Sequence, residues 1–159
     1  MQTVRPMIAG VFLLVVALAA CQMVEPPLPQ GPLVQVQRLG GECPKGACES
    51  RIVIERDGRI HQVKPQPAEL GRMGVDQLTA LEAAVRTTDF AVLRSRPFTG
   101  ECPTAFDGQE VIYVFAAPGG EQRIASCEVE IDPSHPLFNI VESQLNPGIE
   151  GGEGAVPTY

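Results

Sequence analysis

An uncharged, mostly apolar run over residues 7–20 ends at Cys21, and the other four cysteines stand at positions 43, 48, 102 and 127. This arrangement constrains the fold more than any other feature of the chain. Arg5 is the only charge ahead of the run. Fourteen positions (7–20) fall short of the roughly 20 residues that a helix needs to cross a hydrocarbon core. A basic start, a short apolar stretch and small residues at its end fit a cleaved export signal better than a retained span. Export leads to an oxidising compartment, where cysteines form bridges and a small domain relies on them.

The stretch before Cys21 resembles a bacterial lipoprotein signal peptide, and Leu18-Ala19-Ala20-Cys21 resembles the lipobox cut by the lipoprotein-specific signal peptidase. The resemblance implies that Cys21 becomes the first residue of the mature chain, carrying lipid and making the membrane its partner. Ala17-Leu18-Ala19 also fits the small-x-small pattern of ordinary secretion, which would release a soluble protein. Cysteine parity favours the lipobox. With Cys21 given to lipid, Cys43, Cys48, Cys102 and Cys127 form an even set, whereas ordinary secretion leaves an odd thiol. One acyl chain holds a protein only marginally, at about 0.8 kcal/mol per buried methylene. The resemblance implies several chains on that cysteine, hence negligible release. Gln22, rather than Asp, follows Cys21. By the enterobacterial sorting pattern this implies the outer membrane, with the protein facing the periplasm.

Prolines at 26, 27, 29 and 32 suggest that residues 21–32 are an extended, semi-rigid tether, which would lift the domain roughly 30 Å at about 3.1 Å per residue. Residues 147–159 are glycine-rich and poor in apolar side chains, and are expected to be a disordered tail. Between them, 33–146 is one domain of ordinary size. Removing the signal takes Arg5 from 12 basic residues, leaving 11 against 19 acidic ones and a net charge of −8. That speaks against a nucleic-acid partner or an electrostatic grip on anionic lipid, and the acidic surface reads as an aid to solubility.

Within the domain, residues 33–39 and 51–56 read as strands, the second followed by Asp57-Gly58 and a third strand over 59–63. Asp-Gly between two such runs predicts a two-residue hairpin loop with both central residues at φ > 0. In that register Ile54 faces His61 and Ile52 faces Val63. Residues 65–74, with two prolines and two glycines, read as a loop. Asp76 is the expected N-cap of a helix over 77–88, with Leu78, Leu81 and Val85 as its apolar stripe. Phe90 and Leu93 pack as the chain leaves it. Residues 94–108 read as a long irregular loop. Residues 110–117 are apolar on both alternating sets, which predicts a central strand covered on both faces. Pro118-Gly119-Gly120 turns the chain into a strand over 121–131, with Cys127, Val129 and Ile131 inward. A second helix follows Pro133 and Pro136, capped by Ser134, with Leu137, Ile140, Val141 and Leu145 on its apolar side. The order strand, hairpin, helix, hairpin, helix defines an α+β domain: an antiparallel or mixed sheet of about five strands, two packed helices and two disulfides.

Four cysteines allow three pairings. Cys43 and Cys48 enclose the turn-prone Pro44-Lys45-Gly46-Ala47, which leaves Cys102 to pair with Cys127 and staple the long loop to the sheet. Cys43 and Cys48 also have zinc-like spacing, but Cys102 and Cys127 lack close partners, so no metal is expected.

Catalytic motifs are missing from the sequence: there is no His-Glu-x-x-His, no Gly-x-Ser-x-Gly and no glycine-rich phosphate loop. His61 reads as a hairpin residue and His135 as a surface position in the first turn of the second helix. The chain is therefore expected not to be an enzyme and to need no cofactor. The best candidate for function is the loop over 94–108, since long loops without secondary structure are often functional. It carries Arg94, Arg96, Phe98 and Phe106, residue types enriched at interfaces, and a bridge at Cys102 would preorganise it. The alternative is that Phe98 and Phe106 plug the core.

The element order over 34–145 is similar to that of emfourin-like inhibitors of thermolysin-type metalloproteases. The features are the early strands, Leu78-Thr79-Ala80-Leu81-Glu82 leading to Asp89-Phe90, and Tyr113-Val114-Phe115 with its hairpin and final helix. Gly40-Gly41-Glu42-Cys43-Pro44 with the following strand and Asp57-Gly58 resembles uncharacterised bacterial envelope domains. The expectation is a membrane-anchored envelope lipoprotein acting as a non-catalytic binding or structural module with an envelope protein as partner. The inhibitor resemblance implies the alternative, a periplasmic inhibitor of a thermolysin-type protease.

Overall fold

The computed structural model describes residues 27–41 and 48–146. The expected signal over 1–20, Cys21, the tether residues 22–26, Cys43 and the tail over 147–159 lie outside the described residues. The strands are β1 (Val34–Gly40), β2 (Glu49–Ile54), β3 (Arg59–Lys64), β4 (Ala68–Arg72), β5 (Gln109–Ala117) and β6 (Gly120–Ala125). The helices are α1 (Val75–Thr87), α2 (Phe90–Arg94) and α3 (Pro136–Leu145), with a 3-10 turn over Pro103–Phe106. The strands form one sheet in the order β4-β3-β2-β1-β5-β6, every neighbouring pair antiparallel.

The α+β class therefore holds, with six strands and three helices where about five and two were expected. The additional strand, β4, occupies the stretch expected to be a loop. It is an edge strand with every residue exposed, so it has no inward face to impose an alternating pattern. Its pairing with β3 is irregular between Ile60 and His61, and a bulge of this kind discourages edge-to-edge association. The additional helix, α2, has only five residues, too few for a periodic signature. The Asp89 carboxylate starts it, accepting from the backbone N–H groups of Ala91 at 2.9 Å and Val92 at 3.1 Å.

The β2–β3 hairpin forms where Asp57-Gly58 indicated, but its register differs. Ile54 pairs with Ile60 and Val53 with His61. The turn runs from Glu55 to Gly58, closed by Gly58 N–H to Glu55 C=O at 3.0 Å, and Glu55 N–H donates to Arg59 C=O at 2.8 Å. Only Gly58 takes a positive φ, +82°. The loop thus has three residues and ends in a left-handed glycine. The change turns Ile60 into the core and leaves His61 on the opposite face.

Helix starts differ too. Gly74 caps α1, with Asp76 inside its first turn. His135 caps α3, its Nδ1 accepting from Leu137 N–H at 3.3 Å. Ser134 is drawn away, donating its hydroxyl to Asp132 at 2.6 Å.

The three helices share one face of the sheet. Val34, Val36, Ile54, Ile60, Val111, Tyr113, Phe115 and Ile124 form a single apolar cluster with Leu81 and Val85 of α1, Phe90 and Leu93 of α2, and Leu137, Phe138 and Val141 of α3. Its centre is aromatic: the Phe138 ring lies 5.0 Å from Tyr113 and 6.1 Å from Phe115, centroid to centroid, and Phe90 lies 5.7 Å from Phe115. Strand β5 is interior, between β1 and β6, although the helices cover only its Val111, Tyr113 and Phe115 side. On the other side Val53 and Ile112 are buried outside that cluster. A polar lattice accompanies them: Glu49 accepts from Gln37 and Arg51 at 2.9 Å each and from Lys64 at 2.6 Å. The Lys64 hydrogen bond is the main cause holding the Glu49 carboxyl below its ordinary range.

The chain reaches the sheet along a docked strap. Leu28 packs against the core, and the Arg56 guanidinium donates to the carbonyls of Pro29 and, at 3.0 Å, Gly31. Among the described residues no helix is long and apolar enough to cross a membrane.

Candidate functional site

Strand β6 ends at Ala125 instead of continuing to residue 131. The chain turns because Glu128 and Val129 N–H both donate to Ala125 C=O, at 3.0 and 2.9 Å. Ser126 then pairs with the start of β5: its N–H donates to Val111 C=O and its Oγ accepts from Val111 N–H, both at 2.9 Å. Beyond the turn the chain meets the long loop. Phe98 N–H donates to Glu128 C=O at 3.0 Å, Glu130 N–H donates to Arg96 C=O at 2.9 Å, and Pro97 bridges Val129.

The Cys102–Cys127 disulfide joins the same two segments, with Cα atoms 5.2 Å apart. It is the disulfide formed between described residues; Cys48 is also disulfide-bonded, its partner outside them. After Cys102 the 3-10 turn folds against the end of β1. A Cβ on Gly40 would come within 2.7 Å of Gly108 O and 2.9 Å of Thr104 Cγ2, so this approach requires glycine.

These ties leave a cleft of about 170 Å³ lined by Phe98, Val111, Tyr113, Ser126, Glu130 and Ile131. Tyr113 is fixed from behind, its hydroxyl donating to Glu142 of α3 at 2.6 Å. Glu142 also accepts from Arg38 of β1 at 2.8 Å and from Asn146 at 2.9 Å. The cleft floor is therefore held by sheet and helix together.

The four loop residues singled out from the sequence do not converge. Phe98 is half-buried and forms a wall of the cleft. Arg94 lies along the surface, donating to Gln122 of β6 at 2.9 Å. The Arg96 side chain is exposed near Asp132. Phe106 is 69% exposed on the 3-10 turn, so it is not a core plug. Sequence reasoning missed Val111, Tyr113, Ser126, Glu130 and Ile131 as cleft residues. The Cys102–Cys127 pairing signals that the long loop lies beside the segment around Cys127, but the alternating pattern over 121–131 hides the bend at Ala125 that brings Glu130 and Ile131 to the cleft.

The histidines have local surroundings. His135 caps α3 and packs its ring 5.7 Å from Phe138. His61 Nε2 lies 3.7 Å from Glu55, while its Nδ1 is buried without a hydrogen-bond partner. Among the described residues, no group of three His, Cys, Asp or Glu side chains is arranged to hold a metal ion.

The fold and the cleft define a disulfide-clamped α+β domain. Comparison with protein-family models, curated proteins and solved structures finds no match.

Proposed function

We propose that this protein is a lipid-anchored component of the bacterial envelope, held by Cys21 in the outer membrane and facing the periplasm. Its folded part is a non-catalytic binding module for an envelope protein. The carrying observation is the cleft itself: a concave, mostly apolar recess, positioned by a disulfide and two backbone hydrogen bonds. Preorganised apolar recesses with few polar groups are characteristic binding sites. The lipobox resemblance supports the anchor, and an oxidised Cys102–Cys127 pair accords with an exported protein. We assign the partner of Cys48 to Cys43, across the four-residue turn 44–47.

The test has two arms. Mass spectrometry of the native protein should find an acylated amino-terminal Cys21, and Cys21→Ala should release the protein from membranes; an unmodified terminus sinks the anchor. A photo-crosslinking residue at position 98 should give a discrete adduct in the native envelope. The same residue at position 75, on an exposed helix start, should not. Equal labelling at both positions, or none at 98, removes the binding role. Slowed cleavage by a thermolysin-type protease incubated with the protein would instead favour the inhibitor.

A further inference from the structure

Among the described residues, one charged side chain lines the cleft, and it is anionic. The Tyr113 hydroxyl is engaged by Glu142, and Ser126 Oγ by Val111 N–H. Glu130 lines the same recess and is exposed. It has no ion pair or side-chain hydrogen bond among the described residues. The remaining walls are Phe98, Val111, Ile131 and the Tyr113 ring.

Such walls accept a hydrocarbon stem, whose affinity rises about fourfold for each methylene fully buried. A carboxylate beside aromatic rings favours a cation at the end of that stem. Lysine and arginine combine the two, with an apolar stem and a charged head. The chain's formal charge of −7 also draws basic segments toward it.

We propose that the cleft takes a lysine or arginine side chain from the protein partner. The stem lies along Phe98, Val111 and Ile131, and the head meets Glu130. This rests on the binding-module reading and adds the chemistry of the partner.

The test uses the full chain in lipid nanodiscs, with labelled methyl groups followed by NMR. Four capped tripeptides, Gly-X-Gly with X as lysine, arginine, norleucine or glutamate, serve as probes. The lysine and arginine peptides should shift the Val111 and Ile131 methyl signals and bind about two- to fivefold tighter than norleucine, the range of an exposed ion pair. Glutamate should bind weakest. Glu130→Gln should erase the advantage of lysine over norleucine.

Norleucine binding as tightly as lysine overturns the proposal, since the cleft would then select only for hydrocarbon. So do shifts confined to other methyl groups, or no binding by any peptide. If the peptides fail while a crosslinker at position 98 still captures a partner, the assignment of a basic side chain falls and the binding module stands. If both fail, the binding module falls as well.

Discussion

Replacing both cysteines of the loop clamp, as Cys102→Ser/Cys127→Ser, tests how the candidate site is held. The bridge spans a sequence separation of 25 residues. In the chain-entropy account, a crosslink closing a loop of that length restricts the unfolded chain by about 3.5 kcal/mol at 25 °C. For a domain of this size that corresponds to a fall in Tm of roughly 10–20 °C. The folded loop should change little. Phe98 N–H to Glu128 C=O and Glu130 N–H to Arg96 C=O need no disulfide, so both amides should stay protected in native-state hydrogen exchange. Urea unfolding monitored by circular dichroism reads the difference directly. Both the midpoint and the extrapolated stability should drop, and the m-value should rise because the uncrosslinked chain exposes more surface when unfolded. A loss below about 1 kcal/mol, well under the 2–4 kcal/mol typical of native bridges, would refute the argument if the m-value also stayed constant. Loss of protection confined to the Phe98 and Glu130 amides would show that the bridge shapes the native loop and not mainly the unfolded ensemble.

Phe138→Ala, removing a ring that is 1% exposed between Tyr113 and Phe115, should cost about 3–5 kcal/mol in the same assay. Asp89→Ala removes the cap of α2 and should cost about 1 kcal/mol, read as a lower urea midpoint at unchanged m-value. The carboxyls of Glu49, Asp57 and Asp132 are held below their ordinary values of 4.5, 3.8 and 3.8. The leading causes are hydrogen bonds from the Lys64 side chain, the Arg59 backbone and the Ser134 hydroxyl, respectively. Their stabilisation is complete above those ordinary values and is lost as pH falls below them. Tm should therefore hold near neutrality and decline below about pH 4.5, and Asp132→Asn should flatten part of that decline.

Parts of this architecture were legible because local chemistry and global packing agree there. Asp57-Gly58 and Pro118-Gly119-Gly120 mark both hairpins, and Leu81, Val85, Leu137 and Val141 show the buried helix stripes. Agreement ended where tertiary contacts decide. One glycine, not two residues, takes the left-handed conformation in the first hairpin, and that single difference turned His61 away from the core. Strand β4 contributes no buried side chain, so hydrophobic periodicity could not reveal it. Of the site, Phe98 and the Cys102–Cys127 pair were readable. Glu130 and Ile131 were not, because an alternating sequence from 121 to 131 does not reveal that the chain bends over Ala125.

The docked strap gives the sheet a direction. Arg56 grips Pro29 and Gly31 at the β2–β3 turn, and Val34 pairs with Phe115 near the far end of β5, whereas Val111 lies near its opposite end. With acyl chains on Cys21 as proposed, the five residues 22–26 span at most roughly 20 Å, less than a free leash running to residue 32 would reach. The domain would ride low over the headgroups, with its recognising end turned outward. A short mooring of this kind would favour visitors arriving from the aqueous side over neighbours embedded in the same bilayer.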